Sequence, residues 1–426
     1  MDTLYFLTSD ILIWTLVGLV ILFFIHALRS EPLRQPWKLV FKKKRAIIAT
    51  VILFLFVIIG LLDSIHFKNN TQNKNQIESV LDIVLEPLVT HTERSYSAPF
   101  ALYLFDNKMN GEYPRLQYGG THLSNPSQFK TDVIHRFIKV ALYSGGIVLI
   151  LLVFLPYLGG ALVGTLAICF FIISFIAEFM PYYHILGTSK IGEDVLYQAL
   201  KSIRTGLLIG SLTTLFMLPF AIMLGMMAGY FKGWVDDVIQ YLYTTLSSIP
   251  GILFIAAAVL ILQAMMSTHE DWFQTIAQRA DIRLLALCAI LGVTSWTSLC
   301  RLLRGEVLKL REIEFIQAAK GLGVGHFKIM FVHLLPHLTP IILITVVLDF
   351  STLVLAEAVL SYIGVGVDPT SYSWGTMINS ARLEIARVPI VWWSLSAAFM
   401  FMFTLVLCAN IFADALRDAF DPRMQY

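Results

Sequence analysis

The sequence predicts an all-α integral membrane protein. Of its 426 residues, 57% are hydrophobic and only 14% are charged, whereas soluble domains carry about a quarter charged residues. Mean hydropathy is +0.73. A soluble core stops growing at roughly 250–300 residues, so lipid has to solvate much of this chain. The apolar residues also gather into runs close to the length of about 20 residues that a helix needs to cross the hydrocarbon core.

Nine such runs occur. An N-terminal pair covers 10–28 and 46–62, and a second pair covers 138–157 and 160–180, split by Pro156 and the Gly159-Gly160 turn. Five more follow at 204–228, 241–264, 283–300, 338–360 and 391–413. The first run has no basic residues before it and several after it, the reverse of a signal peptide, so a retained membrane helix is expected.

Lysine and arginine bias sets the orientation. Segment 29–45 carries Arg29, Arg34, Lys38 and the cluster Lys42, Lys43, Lys44 and Arg45 against the single acid Glu31. This places it in the cytoplasm, with the N-terminus and residues 63–137 outside. Alternation then puts 229–240, 301–337 and the C-terminus inside, and the basic residues Arg301, Arg304, Lys309, Arg311, Lys320 and Lys328 agree. Arg382 and Arg387 in the outer loop 361–390 run against the trend but are outnumbered. The cluster at 42–45 also suits anionic lipid, although its role in topology already accounts for it.

Residues 63–137 form a polar insert that opens with Asn69, Asn70, Asn73 and Asn75 and is punctuated by Pro87, Pro99, Pro114 and Pro126. It reads as a small extracytoplasmic subdomain without recognisable chemistry. The four cysteines, Cys169, Cys288, Cys300 and Cys408, all sit inside apolar runs, and no Cys-x-x-Cys spacing occurs. Small apolar core residues are expected rather than a disulfide framework or a metal site.

Several function classes are excluded. A net charge of +2 gives no reason to expect nucleic acid as a partner. Gly187 to Gly192 has the spacing of a phosphate-binding loop, but Glu193 follows instead of lysine, so this chain does not cradle ATP phosphates in that way. No serine–histidine–aspartate set, His-Glu-x-x-His or paired carboxylates stand out. Any uphill transport has to draw on another chain or on an ion gradient.

The most informative stretch is Glu314-Phe-Ile-Gln-Ala-Ala-Lys-Gly-Leu-Gly323, continuing to His333-Leu-Leu-Pro336. It lies in an inner loop yet reads as helix–turn–helix. Arg301 to Lys320 is rich in strong helix formers, Gly321, Gly323 and Gly325 break it, and Phe327 to Leu335 resumes a helix that Pro336 is expected to stop. Phe315, Ala318, Ala319 and Leu322 share one narrow face. By itself this describes either an amphipathic helix on the membrane surface or a docking helix for a cytoplasmic partner.

Gln317-Ala-Ala319, Gly323 four positions on, and Leu335-Pro336 after twelve more resemble the EAA loop of the permease subunits of ATP-binding-cassette importers. Gln317 in place of the general glutamate and His333 in place of the common isoleucine resemble the oligopeptide/dipeptide/nickel branch, and within it the second, C-type permease of the pair. His184-Ile-Leu-Gly-Thr188 with Gly192-Glu-Asp194 resembles in part the signature before that family's second core helix. Gly229-Tyr-Phe-Lys-Gly-Trp-Val-Asp236, Glu357–Gly364, Ser373-Trp-Gly375 and Ala413–Asp418 with Asp421-Pro-Arg423 resemble further segments in the same order. The likeness covers 38–62 and 184–426.

The resemblance implies a six-helix type I importer core comprising 46–62 and 184–426. To this core are added about three extra helices (one within 1–45, a pair within 138–183) and the insert 63–137. It implies that Glu314, Gln317, Ala318, Ala319, Gly321, Gly323 and Pro336 form a coupling segment docking on an ATPase subunit. It further implies a second homologous permease, two cytoplasmic ATPases that bind ATP and Mg, an extracytoplasmic solute-binding protein, no cofactor or catalysis in this chain, and a bacterial inner-membrane location. Small Ala318 and Ala319 permit close approach of a partner, and Gly323 permits a turn that a Cβ obstructs.

Carboxylates inside membrane helices are functional suspects. Asp349 and Glu357 share one expected helix and lie about 80° apart around it. Either lines a translocation path or bonds to neighbours. Glu178 is expected at an interface. His333 and His337 stand at i and i+4, but no third metal ligand is near. Two other functions stay open: an ATP-independent secondary transporter or channel with Asp349 as an ion or proton site, and a membrane scaffold using the insert for interactions. Gly323→Asp and Asp349→Asn discriminate between the transport readings, each abolishing transport under one of them.

Overall fold

A computed structural model describes residues 3–29, 31–68, 77–105, 113–154, 159–269, 273 and 275–420. The asparagines at 69–75, Pro156 and the Asp421-Pro-Arg423 tail lie outside the described residues. Among those described, nine helices are long and apolar enough to cross a membrane. Sixteen helical segments make up the fold: α1 (Thr8–Arg29), α2 (Glu31–Val40), α3 (Lys44–Asp63), the short α4 (Val80–Val84) and α5 (Glu86–Thr90), α6 (Phe129–Phe154), α7 (Gly160–Phe179), α8 (Val195–Phe231), α9 (Trp234–Ser248), α10 (Gly251–Thr268), α11 (Ile276–Leu310), α12 (Glu314–Gly321), the single turn α13 (His326–Lys328), α14 (Leu335–Ile363), α15 (Trp374–Ile385) and α16 (Trp393–Phe420). The helical class is as expected. A small antiparallel sheet, β1 (Thr3–Tyr5), β2 (His66–Lys68) and β3 (Ile77–Ser79), is added in the order β1-β2-β3, with Tyr5 opposite His66 and Phe67 opposite Glu78.

The expected apolar run 241–264 is not one helix. It is divided between α9 and α10 at Ile249-Pro250, where Ile249 is extended (φ −85°, ψ 133°). Proline crowds the residue before it out of the α region, and hydropathy counting does not register that break. Two boundaries around the loop also differ from expectation. The helix expected over Arg301–Lys320 stops at Leu310, and α12 starts only after an extended Ile313 (φ −72°, ψ 142°). Pro336 does not stop a helix. Residues Ile329–Leu334 form a π-helical turn that leads directly into α14, with Pro336 in its first turn. Pro336 lacks an N–H and its ring crowds the carbonyl four residues back. A wide turn relieves that crowding while the chain stays helical.

Two compact units result: residues 1–10, 40–207 and 369–411, and residues 11–39, 208–368 and 412–426. In the first, α6 packs on α7 and α7 on α3. Several of its buried charges are paired. Arg204 donates to Asp10 at 2.7 Å and Lys201 to Asp63 at 2.7 Å, and Lys201 reaches Asp82 at 2.9 Å. His66 meets the other Asp10 oxygen at 2.9 Å. Glu178, expected at an interface, accepts from Arg136 of α6 at 3.2 Å.

The second unit is built on α8, α11 and α14. Its core gathers Met217, Met226, Leu299, Leu303, Ile329 and Leu338, all essentially without exposure. The part of α8 in this unit runs close to α11 because Gly225 and Gly229 leave out side chains. A Cβ on Gly225 would stand 2.9 Å from the Cys300 carbonyl oxygen, and one on Gly229 would stand 2.7 Å from Val307 Cβ.

Candidate functional site

The loop between α11 and α14 is positioned from below. α11 is followed by Arg311 at its C-cap, whose Nη1 donates to the Tyr230 carbonyl at 2.8 Å. The Tyr230 hydroxyl meets His326 Nδ1 at 2.9 Å. Arg304 forks onto both oxygens of Asp236 in the first turn of α9, with Nη2–Oδ2 at 2.8 Å. Such a bidentate pair fixes direction as well as distance, and the acid also suits the positive end of a helix. The segment Gly229–Asp236 is therefore the cradle of the loop, with the backbone at Lys232 and Gly233 turned through positive φ (54° and 62°).

α12 rests in this cradle on one side chain. Ile316 is 2% exposed and sits in the same core as Val307, Met330 and Leu334. Ala319 and Val324 pack against that core. The face inferred from spacing is thus split: Ala319 turns inward, while Phe315, Ala318 and Leu322 are exposed, Leu322 to 84%. A core that anchors the helix through Ile316 cannot be read from periodicity in an eight-residue helix. Phe327 and Phe331 extend the exposed apolar patch, and the Phe315 ring lies 5.5 Å from that of His337.

The remaining loop residues have defined places. Glu314 sits in the first turn of α12 and Lys320 in its last, each at the helix end that favours its charge. Gln317 Nε2 donates to the Arg311 carbonyl at 3.0 Å and also faces the Glu312 carboxylate. Gly321 is exposed, and Gly323 takes φ +77°, with nothing within 4 Å of the position a Cβ would occupy. Its glycine is required by backbone conformation, not by space. The arrangement is a rigid platform carrying a short helix whose apolar face points away from its own core.

The expected carboxylates lie elsewhere on α14. Glu357 is buried and accepts from Ser361 at 2.6 Å. Asp349 is half-buried, and its carboxylate meets no hydrogen-bond partner among the described residues, while its backbone carbonyl accepts from Thr352. The structure does not bring these two together with the loop residues. Lys42, Lys43, Lys44 and Arg45 are all exposed at the α2–α3 turn. Lys42 and Lys44 line a groove of about 630 Å³ with the first turn of α7.

A second constellation escaped the sequence reading, because one member lies in the insert. His184 is buried between Asp194, at 2.8 Å from Nδ1, and Glu93, at 3.4 Å from Nε2. Burial alone would lower the imidazole pKa, but the two carboxylates push it up to about 9. Burial likewise favours a protonated Glu93. His184 and the backbone N–H groups of Gln117, Tyr118 and Gly119 outweigh this and hold it down at about 2. Asp194 also caps α8, accepting from Leu196 N at 2.8 Å. Backbone bonds run alongside: Glu93 N to Gly192 O, Thr188 N to Ser97 O, and Phe100 N to His184 O, each at 3.0 Å.

Nine candidate spans among the described residues, together with a loop that holds out a helix anchored from beneath, define a multi-pass membrane transport subunit, in the class expected from the EAA likeness. The chain belongs to the family of binding-protein-dependent transport system inner membrane components, whose pattern matches residues 221–426. It is 31% identical over 239 residues to the oligopeptide transport system permease protein OppC of Mycobacterium tuberculosis H37Rv, covering 56% of this chain and 76% of the relative. It is 32% identical over 242 residues to the dipeptide transport system permease protein DppC of Alkalihalophilus pseudofirmus, and 29% identical over the same length to the glutathione transport system permease protein GsiD of Pectobacterium atrosepticum. Each of these two matches covers 57% of this chain and 73% of the relative.

Proposed function

We propose that this chain is the transmembrane subunit of an ATP-driven importer of peptides or similar small solutes and forms half of its translocation pathway. The chain itself is non-catalytic. A second homologous permease completes the pathway, two cytoplasmic ATPases bind ATP and Mg, and an extracytoplasmic binding protein delivers the solute. The N-terminus and the insert lie outside the inner membrane, and the C-terminus and the 301–337 loop lie inside.

The observation that carries this reading is α12. A helix held by Ile316 while Phe315 and Leu322 face outward is built to dock on another protein. Exposed apolar side chains on a polar-flanked loop mark an interaction site. ATP-driven closure of the ATPases pushes on α12, and the clamps at Arg304–Asp236 and Arg311–Tyr230 pass that push into α9 and α11 as a rigid-body movement.

The test is purification from the native membrane in mild detergent with mass spectrometry of the retained chains. The expected companions are a second permease and an ATPase carrying a phosphate-binding loop. Leu322→Asp is expected to lose the ATPase and keep the second permease. Loss of neither partner in that variant overturns the docking assignment.

A further inference from the structure

A cavity of about 770 Å³ opens in the first unit between the Ser189–Glu193 loop, the Pro369–Tyr372 loop and α15. That volume is within the range of about 300–1,000 Å³ typical of small-molecule sites. Two carboxylates line it. Glu193 is satisfied: Gln198 donates to it at 2.9 Å, and the Tyr372 hydroxyl lies 3.4 Å away. Glu384 is not. Its residue is 5% exposed, Oε1 accepts from the Tyr96 hydroxyl at 3.0 Å, and the buried Oε2 has no hydrogen-bond partner.

A buried carboxylate oxygen without a donor calls for one, and a charged donor serves best. A bare metal ion would need several further oxygen or nitrogen ligands. Among the described residues, no group of three His, Cys, Asp or Glu side chains gathers to hold one. Two cations, Lys190 and Arg387, stand exposed on the cavity wall. Arg387 lies over the Tyr96 ring at 5.3 Å. The cavity is thus acidic where it is deepest and basic where it is open.

We propose that this cavity binds the ammonium group of an amine-bearing solute, with the Glu384 carboxylate as its anchor and Lys190 facing the solute's negative end. The proposal rests on the importer reading and names a solute chemistry for it. Tyr96 has the insert contribute to solute binding, by holding Glu384 in place.

The test is isothermal titration of the purified full-length chain with trialanine and with N-acetyl-trialanine, which keeps the carboxylate and loses the ammonium. Acetylation is expected to weaken binding about tenfold or more, the size of one charge-assisted hydrogen bond. Glu384→Gln, which retains the acceptor for Tyr96, is expected to weaken trialanine by a similar factor and leave the acetylated peptide unchanged. Ser380→Trp, which fills the cavity from α15, is expected to abolish both. Equal binding of the two peptides, an unaffected Glu384→Gln variant, or a wild-type chain that ignores trialanine overturns the site. A chain that ignores trialanine while retaining its ATPase overturns this site alone. Absence of any ATPase companion overturns the importer reading instead.

Discussion

The side chain of Gln317 donates a hydrogen bond to the backbone carbonyl of Arg311 at 3.0 Å, tying the middle of α12 to the end of α11. The glutamate found here in the wider family pattern cannot donate that bond when ionised. It would also set a second negative charge beside Glu312, whose Oε2 lies 3.4 Å from the Gln317 amide. Gln317→Glu is therefore expected to loosen α12 by about 1 kcal/mol, the net worth of a typical hydrogen bond. Faster hydrogen exchange confined to 314–323 checks this, and an unchanged exchange pattern overturns it.

Gly323 and Gly229 are irreplaceable for different reasons. Gly323→Val places a β-branched residue at φ +77°, where an L-residue is strained by roughly 1–2 kcal/mol, with no clash around it. The expected result is a folded protein with normal thermal stability of the membrane helices and weakened ATPase association. Gly229→Val drives a side chain into Val307 and the Arg304 carbonyl, so loss of the folded protein itself is expected. Melting temperatures and co-purification of both variants separate the two effects.

The Asp236–Arg304 fork carries the direction of α9. Asp236→Ala removes the main acceptor from a half-buried guanidinium and is expected to cost about 1.5 kcal/mol, the low end of the range for hydrogen bonds to charged groups. Asp236→Glu keeps the charge but not the fork, and it is expected to restore stability more than transport. Uptake measured alongside thermal unfolding reads out this difference.

The Glu93–His184–Asp194 cluster sets a pH window for the insert. His184 has its pKa raised from 6.5 to about 9, so its contribution is complete below pH 6.5 and fades as pH rises through 9. Glu93 is lowered from 4.5 to about 2, so its contribution is complete above pH 4.5 and fades as pH falls through 2. Hydrogen-exchange protection of residues 93–105 and 113–119 is expected to be greatest between these limits and to decline on the alkaline side first. His184→Ala strands two buried carboxylates and is expected to cost roughly 3–5 kcal/mol, with the decline above pH 6.5 abolished.

Asp349 separates the two transport readings. With ATP as the energy source, Asp349→Asn is expected to leave uptake ATP-dependent and insensitive to a proton ionophore. Uptake that becomes ionophore-sensitive in the wild type and disappears in Asp349→Asn points to an ion-coupled carrier.

Much of the fold was legible because membrane helices announce themselves by length and polarity alone. All nine expected runs have counterparts, from Thr8–Arg29 to Trp393–Phe420. The turn at Gly323 was also legible, because only backbone conformation was at stake. What escaped depended on partners distant in the chain. Ile316 looks like one apolar residue among several until the core formed by Val307 and Met330 selects it. Glu93 looks like a surface acid until His184, 91 residues away, buries it. The break at Pro250 was written in the sequence but masked by the surrounding apolar run, whereas the one around Ile313 falls among charged helix formers with no glycine or proline to mark it.

The glycines at 225 and 229 let the α8 backbone approach the Cys300 and Arg304 carbonyls and the side chains of Leu303 and Val307 on α11 directly, with no α8 side chain at those two points. Long side chains act as lubricant, since rotamer changes let one helix slide on another. Here the two surfaces mesh like gear teeth cut directly into the shafts. A side chain added at either glycine would therefore push the adjoining stretch of α8 away from α11 and open the seam between them.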